Sequence, residues 1–520
     1  MSYNVATDIR FSVDQPELAS ETTKIRAGFG KLPFVILLVF SAFIAVDRFA
    51  VPQVPINVDP ASYAVISHEL LAGKSLYTDI WDHKPPAVFI AYGAAELLFG
   101  YSPQTLVILN FLVSLVTLLG IYYAGKTGRG GVISGLWAAG LWVIVAGIFQ
   151  LESRDPNTEP FLNACMVWAF ALLAVNRTDG LKPKTSIIIG LLFLLASFFK
   201  PIVVAIALAF VCGHIIFSSN RKKALSDSLL IGSVGVAGWI ALFGYFAVTG
   251  RLSIFYETIV SYNRFYSGDM LENLLAPLNH QAELFPDFIN SLPIFAIAGV
   301  VFTIANNLRQ AALLAAFIGS SWIAIALPGR FSVHYYQLWL PPLIIGSSLA
   351  IGFLAVSKRL HFRIFSYAAG LFLAGTLIFN QVTPYRSVLA KEWTPFIPVL
   401  NAGEDIAKKI NALLALDETF FLWGNTPSLY LLSGRRPATP VLFNTHFIES
   451  PMSEILKKRV ADDLATNRPE LLVTENGLVK VPDWIARNYD ATPIFQDNKS
   501  YSFYVLRGGN LAKRLESSGK

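Results

Sequence analysis

The sequence has few charged residues for its length. Only 15% of the 520 residues are Asp, Glu, Lys or Arg, whereas soluble globular chains carry about 25%. Hydrophobic residues make up 54% of the chain, and apolar runs close to the roughly 20 residues that cross a bilayer recur from Leu32 to Phe379. The low charge and the apolar runs therefore exclude an ordinary soluble domain between Leu32 and Phe379 and predict a polytopic all-α membrane domain there.

Cysteine is scarce, and several catalytic motifs are missing. Cys165 and Cys212 both fall inside apolar runs, which predicts buried free thiols rather than a disulfide or a metal site. The sequence contains no HExxH motif, no paired CxxC and no nucleophile elbow. A P-loop-like stretch at residues 120–127 ends an apolar run instead of following a strand, so it does not predict nucleotide binding.

Eleven apolar segments predict membrane-spanning helices. They lie at residues 33–51, 103–124, 131–149, 160–176, 185–199, 201–218, 228–248, 291–306, 310–327, 336–356 and 364–380. The fifth and sixth segments form one apolar run, which is too long for a single crossing. We divide it at Lys200-Pro201 because proline removes a helix hydrogen bond.

Basic residues lie mostly in the short loops between these segments, and the net charge of the chain is +6. With the N-terminus in the cytoplasm, nearly every short basic loop falls on the inner side, as the positive-inside rule requires. Topology therefore explains the excess of basic residues without nucleic acid as a partner. Residues 1–32 are predicted to be a cytoplasmic segment, and the first apolar run is predicted to be an uncleaved signal anchor.

The long connections fall on the outer side, away from the cytoplasm. The predicted membrane domain covers residues 33–380, and residues 381–520 have the composition of a soluble domain. In this second part, helical patterns alternate with strand patterns, which predicts a small extracytoplasmic α/β domain. The helical patterns are at 403–414 and 451–466, and the strand patterns at 419–423, 470–474 and 502–506.

The first outer loop contains a segment, residues 59–100, that is too polar to cross a bilayer and too apolar for a solvated loop. One helix is predicted to start at Asp59-Pro60 and a second at Pro85-Pro86, because each pair suits a helix N-terminus. We expect two amphipathic helices lying on the membrane surface. Ionisable residues this dense at a membrane boundary indicate a functional site.

Three acids lie at the outer ends of predicted helices. Asp59 could be only a helix N-cap, which is a common role for Asp before Pro. The same arrangement recurs at Asp155-Pro156, and Glu159 follows one helical turn later. Repeated acids at outer membrane ends favour a site with a general base and an orienting partner.

Asp82, His83 and Lys84 precede two prolines in the first outer loop. They could form a solvated turn. The functional interpretation is an anion clamp, because a lysine at a helix N-terminus adds to backbone N–H groups that already favour phosphate. His83 could add a hydrogen-bond donor or bind a metal.

Four further residues are candidates on the same side. Lys200 is either a lysine that extends its ammonium to the membrane surface or a second phosphate contact. Arg330, His334 and Tyr335 lie in the last predicted outer loop. Interfacial tyrosines are expected as an aromatic belt, whereas Arg330 and His334 add cationic and hydrogen-bonding groups there.

The order of these features resembles the GT-C class of integral-membrane glycosyltransferases, and within it the bacterial aminoarabinose transferase and protein O-mannosyltransferase-like branch. One span is followed by an acid, a helix, a second helix opened by Lys-Pro, and another acid after the third span. The chain departs from the mannosyltransferases because Pro60, and not a second acid, follows Asp59. The matching motifs are Asp59 through Tyr63, LLAGKSLY (70–77), DHKPP (82–86), DPNTEP (155–160), FFKP (198–201), HYYQLWLPPL (334–343) and LWGNTPSLYLLSGRRP (422–437).

The resemblance implies transfer of a sugar from a polyprenyl-phosphate carrier to an acceptor hydroxyl on the outer face, with inversion. It implies that Asp59 is the general base, that Lys84 and Lys200 hold the lipid phosphate, and that Asp155 or Glu159 is a second acid. Further substrate-binding candidates are Tyr63, Asp82, His83, Arg330, His334 and Tyr335.

The acceptor class is left open by the sequence: a glycolipid, a polysaccharide and a protein all fit. The proposed leaving group is already a good one, so no metal is demanded, although His83 beside the acids leaves a divalent metal open. One alternative is a transporter or lipid flippase, and another is a non-catalytic assembly protein of the cell envelope. Transporters tend to place ionisable residues at mid-membrane in repeated halves, and no repeat is visible here.

Overall fold

The computed structural model describes residues 30–176, 180–276, 286–390, 402–444, 452–476, 483, 487–492 and 500–517. Its first helices are α1 (Leu32–Phe49), α2 (Val58–Leu71), α3 (Ala87–Phe99), α4 (Pro103–Lys126), α5 (Val132–Val145), α6 (Thr158–Val175), α7 (Pro183–Phe199), α8 (Val204–Ile216) and α9 (Arg221–Val248). The next are α10 (Leu252–Tyr256), α11 (Asn263–Ser267), α12 (Met270–Asn273), α13 (Pro286–Ile304), α14 (Leu308–Ala326), α15 (Leu340–Ala355) and α16 (Leu360–Ala390). A π-helix (Glu257–Tyr262) joins α10 to α11, and 3-10 turns lie at Phe149–Leu151, Pro201–Val203 and Val333–Trp339.

Seven helical segments of the described chain are long and apolar enough to cross a membrane. They are α1, α4, α6, α9, α14, Val333–Ala355 and α16. The four other predicted spans coincide with shorter apolar helices, namely α5, α7, Pro201–Ile216 and Ser291–Ile304. A helix therefore occupies each predicted position, whereas the count of eleven crossings stays a prediction. The side of the membrane on which each loop and the C-terminal domain lie stays a prediction too, and the word outer denotes that predicted side.

The predicted break at Lys200-Pro201 is present. Lys200 has an extended backbone, with φ −155° and ψ 115°, and Pro201–Val203 forms a 3-10 turn before α8. Proline has no N–H to continue the hydrogen-bond ladder of α7, so this helix ends at Phe199. The break brings Lys200 against Glu159 in the first turn of α6.

Helix α15 lies at the centre of the membrane domain, with 14 of its 16 residues buried. It approaches α13 so closely that a Cβ atom on Gly299 would overlap the carbonyl oxygen of Gly346. Glycine at such a crossing lets two backbones pack directly, which is a common device between membrane helices. By contrast α1, α9 and α16 expose apolar side chains such as Phe34, Ile240 and Phe372, as lipid-facing helices do.

Helix α2 is not the amphipathic surface helix expected from the sequence. Nine of its 14 residues are buried, because α3 packs on it from one side and an outer-domain helix, Ser428–Ser433, packs on it from another. The outward face of α3 is apolar and exposes Ile90, Leu97 and Leu98. The expectation of an amphipathic surface helix is therefore wrong for α2, because it treated this helix as isolated from the rest of the protein. For α3 a position on the membrane surface stays a prediction.

The outer domain contains α17 (Ala402–Leu413), β1 (Phe420–Trp423), α18 (Ser428–Ser433), α19 (Ser453–Asn467), β2 (Leu471–Glu475), β3 (Tyr489–Ala491), β4 (Tyr501–Leu506) and α20 (Asn510–Ser517). The strand order is β1-β2-β4-β3. Strands β1 and β2 are parallel, with Phe420 opposite Leu471, and β4 is antiparallel to both of its neighbours.

The helices α17 and α19 and the strands β1, β2 and β4 lie where the sequence patterns predicted them. Strand β3 was not predicted. It has three residues, and its Asp490 and Ala491 are exposed, so it shows no apolar alternation. The predicted domain boundary at residue 380 falls inside α16, which continues to Ala390.

The glycine crossing of α13 and α15 leads to a stability prediction. We expect Gly299→Ala to lower the thermal unfolding midpoint in detergent, because overpacking typically costs about 1–3 kcal/mol. Gly375→Ala is the matched control, since this helical glycine of α16 has open space around its Cα. Equal midpoints for the two variants would show that the crossing tolerates a methyl group.

Candidate active site

Asp59 and Lys84 meet although they come from different segments. Asp59 lies in the first turn of α2, and Lys84 lies in the loop before α3. The Asp59 Oδ2 to Lys84 Nζ distance is 3.8 Å. The Lys84 side chain is 9% exposed and that of Asp59 is 26% exposed, so the pair lies at the edge of the buried interior.

Hydrogen bonds hold the backbone of Lys84 in place. Its N–H donates to Asp82 Oδ1 at 3.0 Å, and its carbonyl oxygen accepts from the Tyr77 hydroxyl at 2.8 Å. Tyr77 has a positive φ of 72°, a conformation that costs free energy for a non-glycine residue and clusters at functional sites. The Lys84 ammonium also lies 5.8 Å from the centre of the Tyr63 ring.

His83 lies in the loop that contains Lys84 and packs against residues 262–266, which follow α10. Its Nε2 lies 3.1 Å from Lys84 Nζ, and its ring centre lies 5.1 Å from the rings of Tyr262 and Tyr266. Tyr262 ends the π-helix, and such irregular turns are frequent at functional sites. Neither tyrosine was singled out in the sequence, because aromatic residues in an outer loop resemble a membrane belt.

Asn157 connects Asp59 to the turn that precedes α6. Its Nδ2 donates to Asp59 Oδ2 at 3.5 Å, and its Oδ1 accepts from the Tyr63 hydroxyl at 3.3 Å. The same Oδ1 caps α6 by accepting from the Thr158 N–H at 2.7 Å. Asn157 was missed by sequence reasoning, although an Asn before a helix start is a recognisable cap signal.

A second carboxylate–lysine pair forms at the start of α6. Lys200 Nζ donates to Glu159 Oε1 at 2.7 Å, and the Glu159 side chain is fully buried. The Lys200 ammonium lies 3.5 Å from the centre of the Tyr335 ring, which is a cation–π contact. Lys200 is therefore held by buried partners rather than extended to the membrane surface.

The last outer loop contributes His334, Tyr335 and Arg330. His334 Nδ1 lies 3.1 Å from Glu152 Oε2, and the His334 ring packs edge-on against Tyr335 at 4.8 Å. The Arg330 guanidinium lies 4.2 Å from the centre of the Tyr266 ring. Glu152, which has a positive φ of 54°, was also missed, because nothing in the local sequence marks it as the partner of a distant histidine.

Asp155 does not share these contacts. Its Oδ2 accepts a short hydrogen bond from Asn57 Nδ2, so it links the segment before α2 to the turn before α6. Of the two acids expected to complete the site, Glu159 is the one that pairs with a candidate lysine. Asp155 instead ties the two outer loops together.

The electrostatics keep Asp59 and Lys84 charged. Burial favours the neutral acid at Asp59, but the charges of Lys84, His334 and Lys200 outweigh it, so the pKa of Asp59 lies below its ordinary value. Burial disfavours the Lys84 ammonium, but Asp59 and Asp82 outweigh it and raise the pKa of Lys84. Burial raises the pKa of Asp82 itself to about 6.

The described residues near Asp59 include side chains of the kinds that metal ions prefer as ligands. Over the residues that the structure describes, no group of three or more His, Cys, Asp or Glu side chains is arranged to hold an ion. Asp82 and His83 are neighbours, with 3.5 Å between Asp82 Oδ1 and His83 Nδ1, but no third ligand of this kind joins them. The Archaeoglobus fulgidus oligosaccharyltransferase has been solved in complex with Zn and sulfate, so a divalent metal stays a prediction for this chain.

No protein-family model and no curated protein sequence matches the chain. Solved structures do. The apo structure of ArnT from Cupriavidus metallidurans is 14% identical, with a TM-score of 0.58 over 90% of this chain and 97% of that one. ArnT bound to undecaprenyl phosphate matches with a TM-score of 0.56 and 14% identity over 92% of this chain and 98% of that one.

Two further similar structures come from other organisms. The Archaeoglobus fulgidus oligosaccharyltransferase AglB, with an inhibitory peptide and a dolichol-phosphate, is 12% identical with a TM-score of 0.54 over 86% of this chain and 70% of that one. Mycobacterial arabinofuranosyltransferase AftD is 12% identical with a TM-score of 0.51, and the match covers 92% of this chain but 40% of AftD. At these identities the likeness shows the fold, which is GT-C-like and that of an integral membrane protein.

The buried position of Asp155 leads to a pH prediction. Burial raises the pKa of Asp155 to about 7, above its value in the unfolded chain. The folded state therefore favours the protonated acid, and the free energy of unfolding that this residue adds is fully present at low pH and is lost as the pH rises towards 7. We expect Asp155→Asn to gain thermal stability relative to the wild type between pH 4.5 and 8, on the order of a few degrees. The control is Asp490→Asn, since Asp490 is an exposed acid, and this variant should show no such trend. The same pH dependence in both variants would contradict the role given to buried Asp155.

Proposed function

We propose that this protein transfers a glycosyl group from a polyprenyl-phosphate carrier to an acceptor hydroxyl at the outer face of the membrane, with inversion. The observation that carries the proposal is the Asp59–Lys84 pair, in which a carboxylate and an ammonium from two outer segments lie 3.8 Å apart. The GT-C-like fold supports glycosyl transfer in general. The bound undecaprenyl phosphate of ArnT and the dolichol-phosphate of AglB support a lipid phosphate as the carrier.

In the proposed reaction the acceptor oxygen attacks the anomeric carbon, and the bond from that carbon to the phosphate oxygen breaks. The electron pair of the broken bond remains on the phosphate. As the new bond forms, the acceptor hydroxyl becomes acidic and its proton passes to the Asp59 carboxylate. Asp59 suits this role because its lowered pKa keeps it ionised before the reaction, and one displacement inverts the anomeric centre.

Lys84 would stabilise the negative charge that develops on the departing lipid phosphate. A charge placed in advance at the leaving group is effective because it needs no reorganisation during the reaction. Lys200 would be the second cation, with Glu159 fixing the direction of its ammonium at 2.7 Å. Tyr335 supports Lys200 from the other side through the cation–π contact.

The remaining residues would bind or position the substrates. Asn157 and Tyr63 would orient Asp59, and Asp82 and His83 would orient Lys84. Arg330 and His334 add further positive or hydrogen-bonding groups from the last outer loop. In this proposal the acceptor is a glycolipid, a polysaccharide or a protein, and the site opens to the extracytoplasmic side of a bacterial plasma membrane.

The role of Asp59 is tested by Asp59→Asn. We expect single-turnover transfer from a panel of undecaprenyl-phosphate-linked sugars, measured in proteoliposomes, to fall by about 100- to 10,000-fold, the range for loss of general base catalysis. Binding of undecaprenyl phosphate should persist. Asp79→Asn is the control, since Asp79 is an exposed acid in the same outer segment. Undiminished transfer by Asp59→Asn would exclude this base, and lipid translocation without transfer would favour a flippase.

The role of Lys84 is tested by binding of undecaprenyl phosphate alone. We expect Lys84→Met to weaken it by roughly 10- to 100-fold, because a hydrogen bond to a charged group is worth about 1.5–3 kcal/mol. The control is Lys74→Met, which removes an exposed lysine of the same loop. Lys84→Arg retains the charge beside Asp59 and Asp82 and should bind more tightly than Lys84→Met. Equal affinities for the two methionine variants would contradict the phosphate role.

A further inference from the structure

A short segment of the outer domain contacts the membrane domain beside the candidate active site. This segment, residues 436–441, follows α18 and includes Arg436 and Pro440. Arg436 forms a two-pronged ion pair with Glu69, with Nε 2.8 Å from Oε1 and Nη2 2.6 Å from Oε2. The Glu69 side chain is only 4% exposed, and paired bonds of this kind fix geometry as well as charge.

The same segment also bonds to the loop that carries Lys84. The Trp81 N–H donates to the Pro440 carbonyl oxygen at 2.9 Å. The Trp81 indole N–H donates to Thr258 Oγ1 at 3.1 Å, so this residue is held from two directions. Trp81 lies three positions before Lys84 in the chain.

The segment is rigidly part of the outer domain. The Ala438 N–H donates to the Phe420 carbonyl oxygen in β1 at 3.1 Å. The Ala438 carbonyl oxygen accepts from Asn467 Nδ2, at the end of α19, at 2.7 Å. Ala438, Thr439 and Val441 are all buried. Residues 436 and 440 therefore have a fixed separation that is set by the outer-domain fold.

We infer that Arg436 is a positioning residue for the Asp59–Lys84 pair, and that residues 436–441 of the outer domain act as a clamp that sets the distance between the two side chains. Asp59 and Glu69 lie on the same helix, α2, so a helix held at Glu69 carries Asp59 with it. The loop held at Trp81 carries Lys84. Because one rigid segment is bonded both to α2 and to the loop that contains Lys84, it fixes the position of Asp59 relative to Lys84.

This inference rests on the proposed function for its catalytic meaning, because Arg436 bonds to Glu69 and to no proposed reacting group. A displacement of about 1 Å at a reacting centre can cost on the order of 100-fold in rate. The clamp thus gives the outer domain an indirect part in catalysis, through the positions of Asp59 and Lys84.

The test compares Arg436→Ala with Arg514→Ala in the full-length protein in lipid nanodiscs. Arg514 is a matched control, since it forms a similar two-pronged pair with Glu418, at 2.8 and 2.7 Å, inside the outer domain. We expect Arg436→Ala to speed amide hydrogen exchange at the Glu69 end of α2 and in the loop that carries Lys84, residues 66–86, by about tenfold or more. We also expect it to weaken binding of undecaprenyl phosphate by about tenfold. Arg514→Ala should change neither quantity.

Two further variants guard against simple misfolding. Arg436→Lys keeps the charge beside buried Glu69 but loses the paired geometry, so it should fold and show an intermediate increase in exchange. The double variant with Glu69→Arg and Arg436→Glu restores an ion pair and should recover part of the wild-type protection. Failure of the swap to recover any protection, with both variants folded, would contradict a specific clamp.

The outcomes separate this inference from the proposed function. Unchanged exchange in residues 66–86 of Arg436→Ala overturns the clamp, whatever the lipid affinity. If exchange rises but affinity stays at the wild-type value while Lys84→Met loses binding, the clamp does not position Lys84 for phosphate and is also overturned. If Arg436→Ala speeds exchange and Lys84→Met binds undecaprenyl phosphate normally, the clamp is supported and the proposed role of Lys84 fails.

Discussion

The attraction between the Asp59 carboxylate and the Lys84 ammonium is the interaction on which the candidate site depends. Both groups are largely withdrawn from water, and a buried charge without a partner is very costly. Each therefore needs the other at close range, and the 3.8 Å separation brings α2 and the loop before α3 together. The second pair, Glu159 with Lys200 at 2.7 Å, applies the same constraint to α6 and the break after α7.

Aromatic side chains fill the space around these charges. Tyr63, Tyr266 and Tyr335 each have a cationic side chain near the ring face, at 5.8, 4.2 and 3.5 Å from the ring centre respectively. Ring faces attract cations and still exclude water, which suits Lys84 and Lys200, whose side chains are only 9% and 12% exposed. Arg330 is exposed and borders this region. An anionic lipid headgroup that entered this region would meet cations with little solvent to displace.

Residue spacing and composition predicted the long helices and most of the sheet, because apolar runs and alternation are local signals. Five short helices, α10, α11, α12, α18 and α20, were not predicted. The break at Lys200-Pro201 was also predictable, since proline acts on its own helix. Asn157 and Glu152 were not, because their importance comes from Asp59 and His334, which lie far away in the chain. The burial of α2 was missed for the same reason: its covering helix α18 is more than 350 residues away.

The glycine contact between α13 and α15 limits how the membrane domain can move. Backbones in direct contact at Gly299 and Gly346 leave no side-chain layer that could slide or repack, and packed interiors shift between discrete arrangements rather than deforming smoothly. If the proposed function is correct, any opening that admits a long-chain lipid must arise where side chains separate the elements. The central helices would then serve as a fixed frame, and turnover would depend on how readily the loops around Asp59 and Lys84 adapt.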